Sequence, residues 1–141
     1  MADARERSAQ DFNARAKTML PGTLGIEILD RTDVIAARMP VTRAHLAPNG
    51  FLHGGSVVAF ADTLCGYATI VSLPEGASGF TTMELKTNFL GTALDGGLEG
   101  EATPLHIGRT TQVWDAAVRH VETGKTLAHF RCTQLVLWPR G

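Results

Sequence analysis

Several things are scarce in this sequence, and each scarcity excludes something. Charge of one sign is missing: 13 Lys and Arg face 14 Asp and Glu, for a formal net charge of −1. No basic bias invites nucleic acid, and no basic run suits a membrane surface. Cysteine occurs only twice, as Cys65 and Cys132, each inside an apolar stretch. Their spacing fits no metal site, and they read as reduced core thiols of a cytoplasmic protein. His45, His106, His120 and His129 are scattered without ligand spacing, so no metal is expected. The N-terminal MADARERSAQDF has no apolar core, which excludes a signal peptide. No internal repeat, linker or low-complexity tract interrupts the chain.

What is present is a foldable chain of 141 residues, 44% of them hydrophobic. That length suits one domain over 1–141 with a real core, and that composition excludes disorder. The longest apolar stretch, Gly54 to Leu73, approaches the length of a membrane span. It carries Asp62 and three glycines, and a mid-span Asp is costly in lipid, so it reads as a helix buried in a protein core.

Patterning supplies the rest of the architecture. Phe12, Ala16, Met19 and Leu20 share a helix face, giving a helical segment over 1–20 that Pro21-Gly22 should stop. Leu24–Leu29 and Val34–Val41 read as strands joined by a turn at 30–33. Residues 45–53 form a loop with a Pro-Asn-Gly turn signal, and Pro74 to Gly79 breaks the chain after the long helix. From Phe80 the period becomes two, with Met83, Leu85, Thr87 and Phe89 alternating against Glu84, Lys86 and Asn88. Strand-like runs near 97–106, 110–121 and 126–138 follow. The expected order is α-β-β-α-β-β-β-β, an α+β domain. One helix that is apolar almost all round needs an antiparallel sheet of about six strands wrapped round it.

The chemistry concentrates in residues 49–62. Gly54-Gly55 opens the long helix, where the first N–H groups lack internal partners and carry the positive end of the dipole. Without side chains there, a ligand carbonyl can approach the backbone and be stabilised as it becomes negative. Tight packing of helix on sheet would require the same glycines. Asp62 is the only charged residue between Gly54 and Pro74. A carboxylate in such surroundings is either useful, as nucleophile or general base, or tied to the backbone or to Thr63 or Tyr67.

His53-Gly54-Gly55 with an acid nine positions after the His resembles the hotdog thioesterases related to phenylacetate-degradation and 4-hydroxybenzoyl-CoA thioesterases. The likeness continues through Glu84-Leu85-Lys86-Thr87-Asn88-Phe89-Leu90 and Gly108-Arg109-Thr110, and covers about residues 20–138. It implies a hotdog fold, and it implies roles. Asp62 matches the nucleophile or general base, Gly54 the glycine whose N–H polarises the thioester carbonyl, and His53 the residue that holds the helix start. Thr82 aligns with a Ser or Thr that helps position water in some members. Gly55 lies beside the thioester, and Gly108-Arg109-Thr110-Thr111 matches the turn that binds the CoA nucleotide, where a guanidinium and free donors suit phosphate. Many members carry Asn or Gln six residues before the His. Ala47 stands there instead, and Asn49 is the candidate substitute.

The resulting expectation is a cytoplasmic thioester hydrolase that converts an aromatic or short to medium acyl-CoA to free acid and CoA. It needs no cofactor beyond the coenzyme A of its substrate. Phe51, Phe60, Tyr67 and Phe80 are candidate acyl-pocket residues. Two rivals are an enoyl-CoA hydratase and a non-catalytic acyl-CoA-binding module. Asp11-Phe12-Asn13 resembles the start of a hydratase motif, but the Pro and His that should follow are absent, and a binding module needs no acid in the helix. Gly54 and Asp62 lie eight residues apart, about 12 Å along one helix. One thioester cannot meet both, so the site should be shared across a homodimer, and such dimers often pair into homotetramers.

Overall fold

The computed structural model describes residues 4–29 and 31–141. Helix α1 spans Ala4–Ala16 and a short α2 spans Leu20–Leu24. Strands β1 (Glu27–Leu29) and β2 (Ile35–Pro40) lead into a 3-10 turn at Arg43–His45 and the long helix α3 (Gly54–Val71). Strands β3 (Gly79–Phe89), β4 (Gly97–Ile107), β5 (Thr111–His120) and β6 (Thr126–Leu137) complete the chain. The six strands form one antiparallel sheet in the order β1-β2-β4-β5-β6-β3. Helix α3 lies across it and touches every strand from β2 to β6. This is the expected α+β architecture.

Two boundaries differ from the sequence reading. Pro21-Gly22 does not end the first helix; α1 stops at Ala16, and Pro21 sits in the first turn of α2. Proline is tolerated there because the first turn has no use for its missing N–H. The first strand is correspondingly shorter, beginning at Glu27 rather than Leu24. In the turn at 30–33, Asp30 lies outside the described residues. Asn13 joins α1 to β1 by accepting from the N–H of Ile28 and donating to its carbonyl, each at 2.9 Å. That pairing gives Asn13 a structural role.

Inward and outward positions alternate strictly along β5, where Gln112, Trp114, Ala116, Val118 and His120 face the core. On β4 the inward Gly100 makes room for α3: a Cβ there would meet Phe60 at 3.1 Å and Leu64 at 3.3 Å. Phe60, Ala61, Leu64, Cys65 and Ala68 are fully buried as a result. A second stripe of α3, formed by Gly55, Ala59, Asp62, Thr63, Gly66 and Ile70, is not buried. α3 is long and apolar enough to cross a membrane by composition, but here one of its faces packs on the sheet.

β3 is an edge strand with only β6 beside it. A bulge at Met83 lets Thr82 pair with Gln134 and Glu84 with Thr133. Because paired residues share a face, Thr82, Leu85, Thr87 and Phe89 point to the α3 side with Gln134, Cys132, Phe130 and Ala128. Met83 and Phe89 remain 61% and 54% exposed, so the open edge carries apolar side chains.

Candidate active site

The site is built on the start of α3. The preceding loop is pinned from several directions. His45 takes the N–H of Thr42 on Nδ1 at 3.0 Å, and its Nε2 donates to the carbonyl of Leu24 at 2.6 Å. The His45 carbonyl accepts from the N–H of His53 at 3.0 Å and from Ser56 Oγ at 3.0 Å. Ala47 N–H donates to the Phe51 carbonyl at 2.7 Å, which closes the loop on itself.

His53 is the N-cap of α3. Its Nδ1 accepts the N–H of Gly55 at 2.7 Å, and its carbonyl accepts from Ser56 at 2.9 Å and Val57 at 3.4 Å. The neutral ring therefore carries its proton on Nε2. Of the first four N–H groups of the helix, only that of Gly54 has no acceptor among the described residues. The two glycines thus do different things. Gly55 is a glycine because a Cβ would lie 2.8 Å from the His53 ring, and its N–H is already taken. Gly54 keeps a free N–H at the positive end of the helix dipole, the arrangement that stabilises a developing oxyanion.

Asp62 lies two turns further along, on the uncovered stripe. Its Oδ1 is buried and has no hydrogen-bond partner among the described residues. Burial pushes the Asp62 carboxyl above its ordinary value. A carboxylate that has lost part of its water is a stronger base than a solvated one.

Sequence reasoning missed three groups on this side of the sheet. The Phe89 ring lies against Gly54, 3.0 Å from where a Cβ would be, so a side chain at that position would strike it. Gln134 is wholly buried, and among the described residues neither end of its amide has a partner; the hydroxyl of Thr87 is likewise buried and unpartnered among them. All three side chains project to the α3 side from β3 and β6. A polar residue between Cys132 and Val136 at strand spacing was the available signal for Gln134.

The other expected residues fall into two groups. Thr82 faces α3, as a role beside Asp62 requires. Asn49 uses its side-chain oxygen to accept from the N–H of Phe51 at 3.1 Å, as a turn residue does. Of the four aromatic pocket candidates, Phe60 and Tyr67 are core residues instead. Tyr67 is buried edge-to-face against Phe12 of α1, with centroids 5.5 Å apart, because its helix face points to α1. Phe51 is exposed, and Phe80 lies beside the site's stripe, 3.5 Å from where a Gly66 Cβ would lie. Cys65 is inert: a hydrogen bond with Cys132, followed by burial, pushes its thiol well above the ordinary range.

At the far end of the sheet, Gly108 N–H donates to the Thr111 carbonyl at 2.8 Å and closes the β4–β5 turn that presents Arg109 and Thr110. The Arg109 guanidinium lies 4.5 Å over the Trp138 ring, and Trp138 Nε1 donates to the Arg109 carbonyl at 3.1 Å. Trp114 is a packing residue, as its burial at 2% requires, whereas Trp138 is only half-buried and is tied to this turn. Among the described residues no group of three or more His, Cys, Asp and Glu side chains is placed to hold a metal ion.

Known proteins give this geometry a context. The sequence profile of the Thioesterase superfamily matches residues 49–127, the segment from the loop before α3 into β6. The chain is 34% identical to the proofreading thioesterase EntH of Klebsiella pneumoniae, over 97% of this chain and 99% of that one. It is 29% identical to the 1,4-dihydroxy-2-naphthoyl-CoA hydrolase of Escherichia coli, over 94% and 96% of the two chains. A crystal structure of a thioesterase from Pseudomonas aeruginosa superposes with a TM-score of 0.86 at 31% identity, covering 92% of this chain and 93% of that one. Fold, capped helix start and sequence relatives agree: this chain belongs to the thioesterase superfamily and is a thioester hydrolase of the hotdog fold.

Proposed function

We propose that the protein hydrolyses an acyl-CoA thioester at a site shared by two copies of the chain. The observation that carries this reading is the pairing, on one helix, of a free N–H at Gly54 with a buried, unpartnered carboxylate oxygen at Asp62. The thioester carbonyl accepts from the Gly54 N–H, which draws electron density onto its oxygen. Asp62 takes a proton from a water whose oxygen adds to the carbonyl carbon. The tetrahedral oxyanion then collapses, the C–S bond breaks, and the thiolate of CoA leaves and is protonated. The products are the free acid and CoA.

The two groups lie about 12 Å apart along the helix, whereas attacking and attacked atoms must sit within about 3–3.5 Å. Asp62 of a second, antiparallel copy meets both requirements when it lies beside Gly54 of the first. Two features favour such a homodimer. The uncovered stripe of α3 is made of small residues around Asp62, so another helix can approach it closely. The open edge of β3 presents unpaired backbone and the exposed Met83 and Phe89, which natural sheets seldom leave bare. Pairing of such dimers into a tetramer is part of the same reading. Two buried free cysteines favour a reducing, cytoplasmic setting.

Arg109, with Thr110 and Thr111, binds the nucleotide phosphates of CoA, and the acyl group runs along α3 toward Phe80. A hydroxylated aromatic acyl group is the first to test, because one relative is a dihydroxynaphthoyl-CoA hydrolase. The test begins with a panel of acyl-CoA substrates assayed for released thiol. It continues with subunit mixing, in which an Asp62→Ala chain is combined with a Gly54→Val chain, each inactive alone. A mixed dimer holds one doubly defective site and one intact site, so up to about half the wild-type activity per mixed dimer returns. No recovery in verified mixed dimers, or a fully active monomer, refutes the shared site.

A further inference from the structure

We propose that Trp138 is a positioning residue for Arg109, and that the pair acts as one preorganised clamp for the phosphates of the CoA thioester. The proposal rests on the acyl-CoA reading above and adds to it the residue that makes its arginine selective.

Sheet register brings the two residues together from distant parts of the chain. Thr111 at the start of β5 pairs with Leu135 near the end of β6, and the N–H of Val136 donates to the Thr110 carbonyl at 2.9 Å. Trp138, just beyond β6, therefore lands beside the β4–β5 turn. It then holds Arg109 twice. Its ring lies 4.5 Å under the guanidinium carbon, and its N–H donates to the Arg109 backbone carbonyl at 3.1 Å. One indole thus fixes the head of a side chain that otherwise has many rotamers, and also the backbone from which it springs. The indole is itself backed by the loop after α3, where a Cβ on Gly76 would lie 3.5 Å from the ring.

The geometry leaves the chemically useful part of Arg109 unspent. Stacking occupies the flat face of a guanidinium, while its N–H donors point outward in the plane and remain available to an oxyanion. Arg31, Arg38, Arg119 and Arg131 are all engaged with carboxylates, namely Glu99 and Glu101, Glu27, Glu101 and Asp115. Arg109 forms no ion pair among the described residues, although it is the one held over an aromatic ring. A cation that is immobilised yet unpaired suits a phosphate ligand, because the entropy of ordering it has been lost before binding.

The experiment compares two thioesters of the same acyl group, one on CoA and one on pantetheine, which lacks the nucleotide. Arg109→Ala should raise KM for the CoA substrate about tenfold or more. Trp138→Leu should raise it about 2–5-fold, as expected for loss of a partly exposed cation–π contact. Neither should move kcat or the KM for pantetheine. Trp138→Phe, which keeps a ring face and loses the N–H, should fall between wild type and Trp138→Leu. The decisive variant is the double one: Trp138→Leu in an Arg109→Ala background should add no further loss, because the indole then has nothing to position. Additive losses, or a Trp138→Leu defect equal on both substrates, overturn the positioning role while leaving Arg109 a phosphate ligand. An unchanged CoA KM in Arg109→Ala overturns the CoA reading of that residue, and this proposal with it. Titration with free CoA supplies a second readout. Trp114 is buried, so a change in indole fluorescence that disappears in Trp138→Phe reports CoA arriving at the clamp; no change in wild type at saturating CoA counts against it.

Discussion

The Nδ1 atom of His53 holds the N–H of Gly55 at 2.7 Å, and this single bond separates two adjacent glycines into a structural one and a chemical one. His53→Ala removes the cap. The loss should cost about 0.5–2 kcal/mol of stability, the usual range for an N-cap. The freed N–H of Gly55 and the loosened first turn should also misdirect the Gly54 donor, so kcat falls more than KM rises. His53→Asn restores a short side-chain acceptor at the same position and should recover most of the thermal stability. Thermal melts and steady-state kinetics on the three proteins check this. If His53→Ala melts as wild type does, the cap contributes nothing.

Asp62 should place activity and stability in opposition. Asp62→Asn keeps the shape and removes the charge, and should lower kcat by roughly 10²–10⁴-fold. Burial raises the folded-state pKa of this carboxyl, so its neutral form is the one the fold prefers. The sign follows by linkage: its favourable contribution is complete below the unfolded value and is lost as pH rises through the folded one. At neutral pH the ionised Asp62 therefore destabilises the protein, and Asp62→Asn should melt at a higher temperature than wild type. A lower melting temperature in the variant would mean that the carboxylate is held by partners.

The same shift sets the acid limb of the rate profile. The proposed base works only when ionised, so kcat/KM should fall on acidification with a midpoint above the ordinary Asp value of 3.8. A pH–rate profile for one good substrate measures it. A limb at or below that value contradicts a desolvated base.

Gln134 offers a test of the buried polar layer. Among the described residues its amide is unpartnered at both ends, and leaving such groups unpaired costs about 1–3 kcal/mol. Gln134→Met preserves the length of the side chain and removes the amide, and should therefore raise stability in denaturant titrations. A destabilised variant would show that the amide is satisfied in solution, by bound water or by a ligand.

How far the sequence could be read depended on the range of each contact. β4, β5 and β6 were legible within a few residues, because a period of two bounded by glycine turns is a local signal. Gly54, His53 and Asp62 stood out because one helix start and one lone acid are also local. Pro21 misled because proline ends one helix and begins another by the same geometry, and only packing decides which. Tyr67 and Phe60 read as pocket residues because periodicity does not say which stripe of an all-apolar helix the sheet takes. The stack of Arg109 on Trp138 spans 29 positions and depends on strand register, so no local pattern could announce it. Phe89 against Gly54 and the orphan amide of Gln134 are of the same kind.

The bulge at Met83 has one further consequence, which concerns parity. Along a strand, facing is a two-state variable that flips with every residue. The extra residue at Met83 acts as a phase shift between the two halves of β3: it keeps Thr82 on the same side as Leu85, although an odd number of steps separates them. Thr82 and Phe80 on one side of the bulge, and Leu85, Thr87 and Phe89 on the other, share the α3 side only because of that shift. Straightening the bulge with Met83 in place would leave every side chain chemically unchanged and yet turn one half of the strand inside out, whereas deleting Met83 would restore a regular register with every facing kept. In this chain the content of the cleft is set by a count of residues as much as by their kinds.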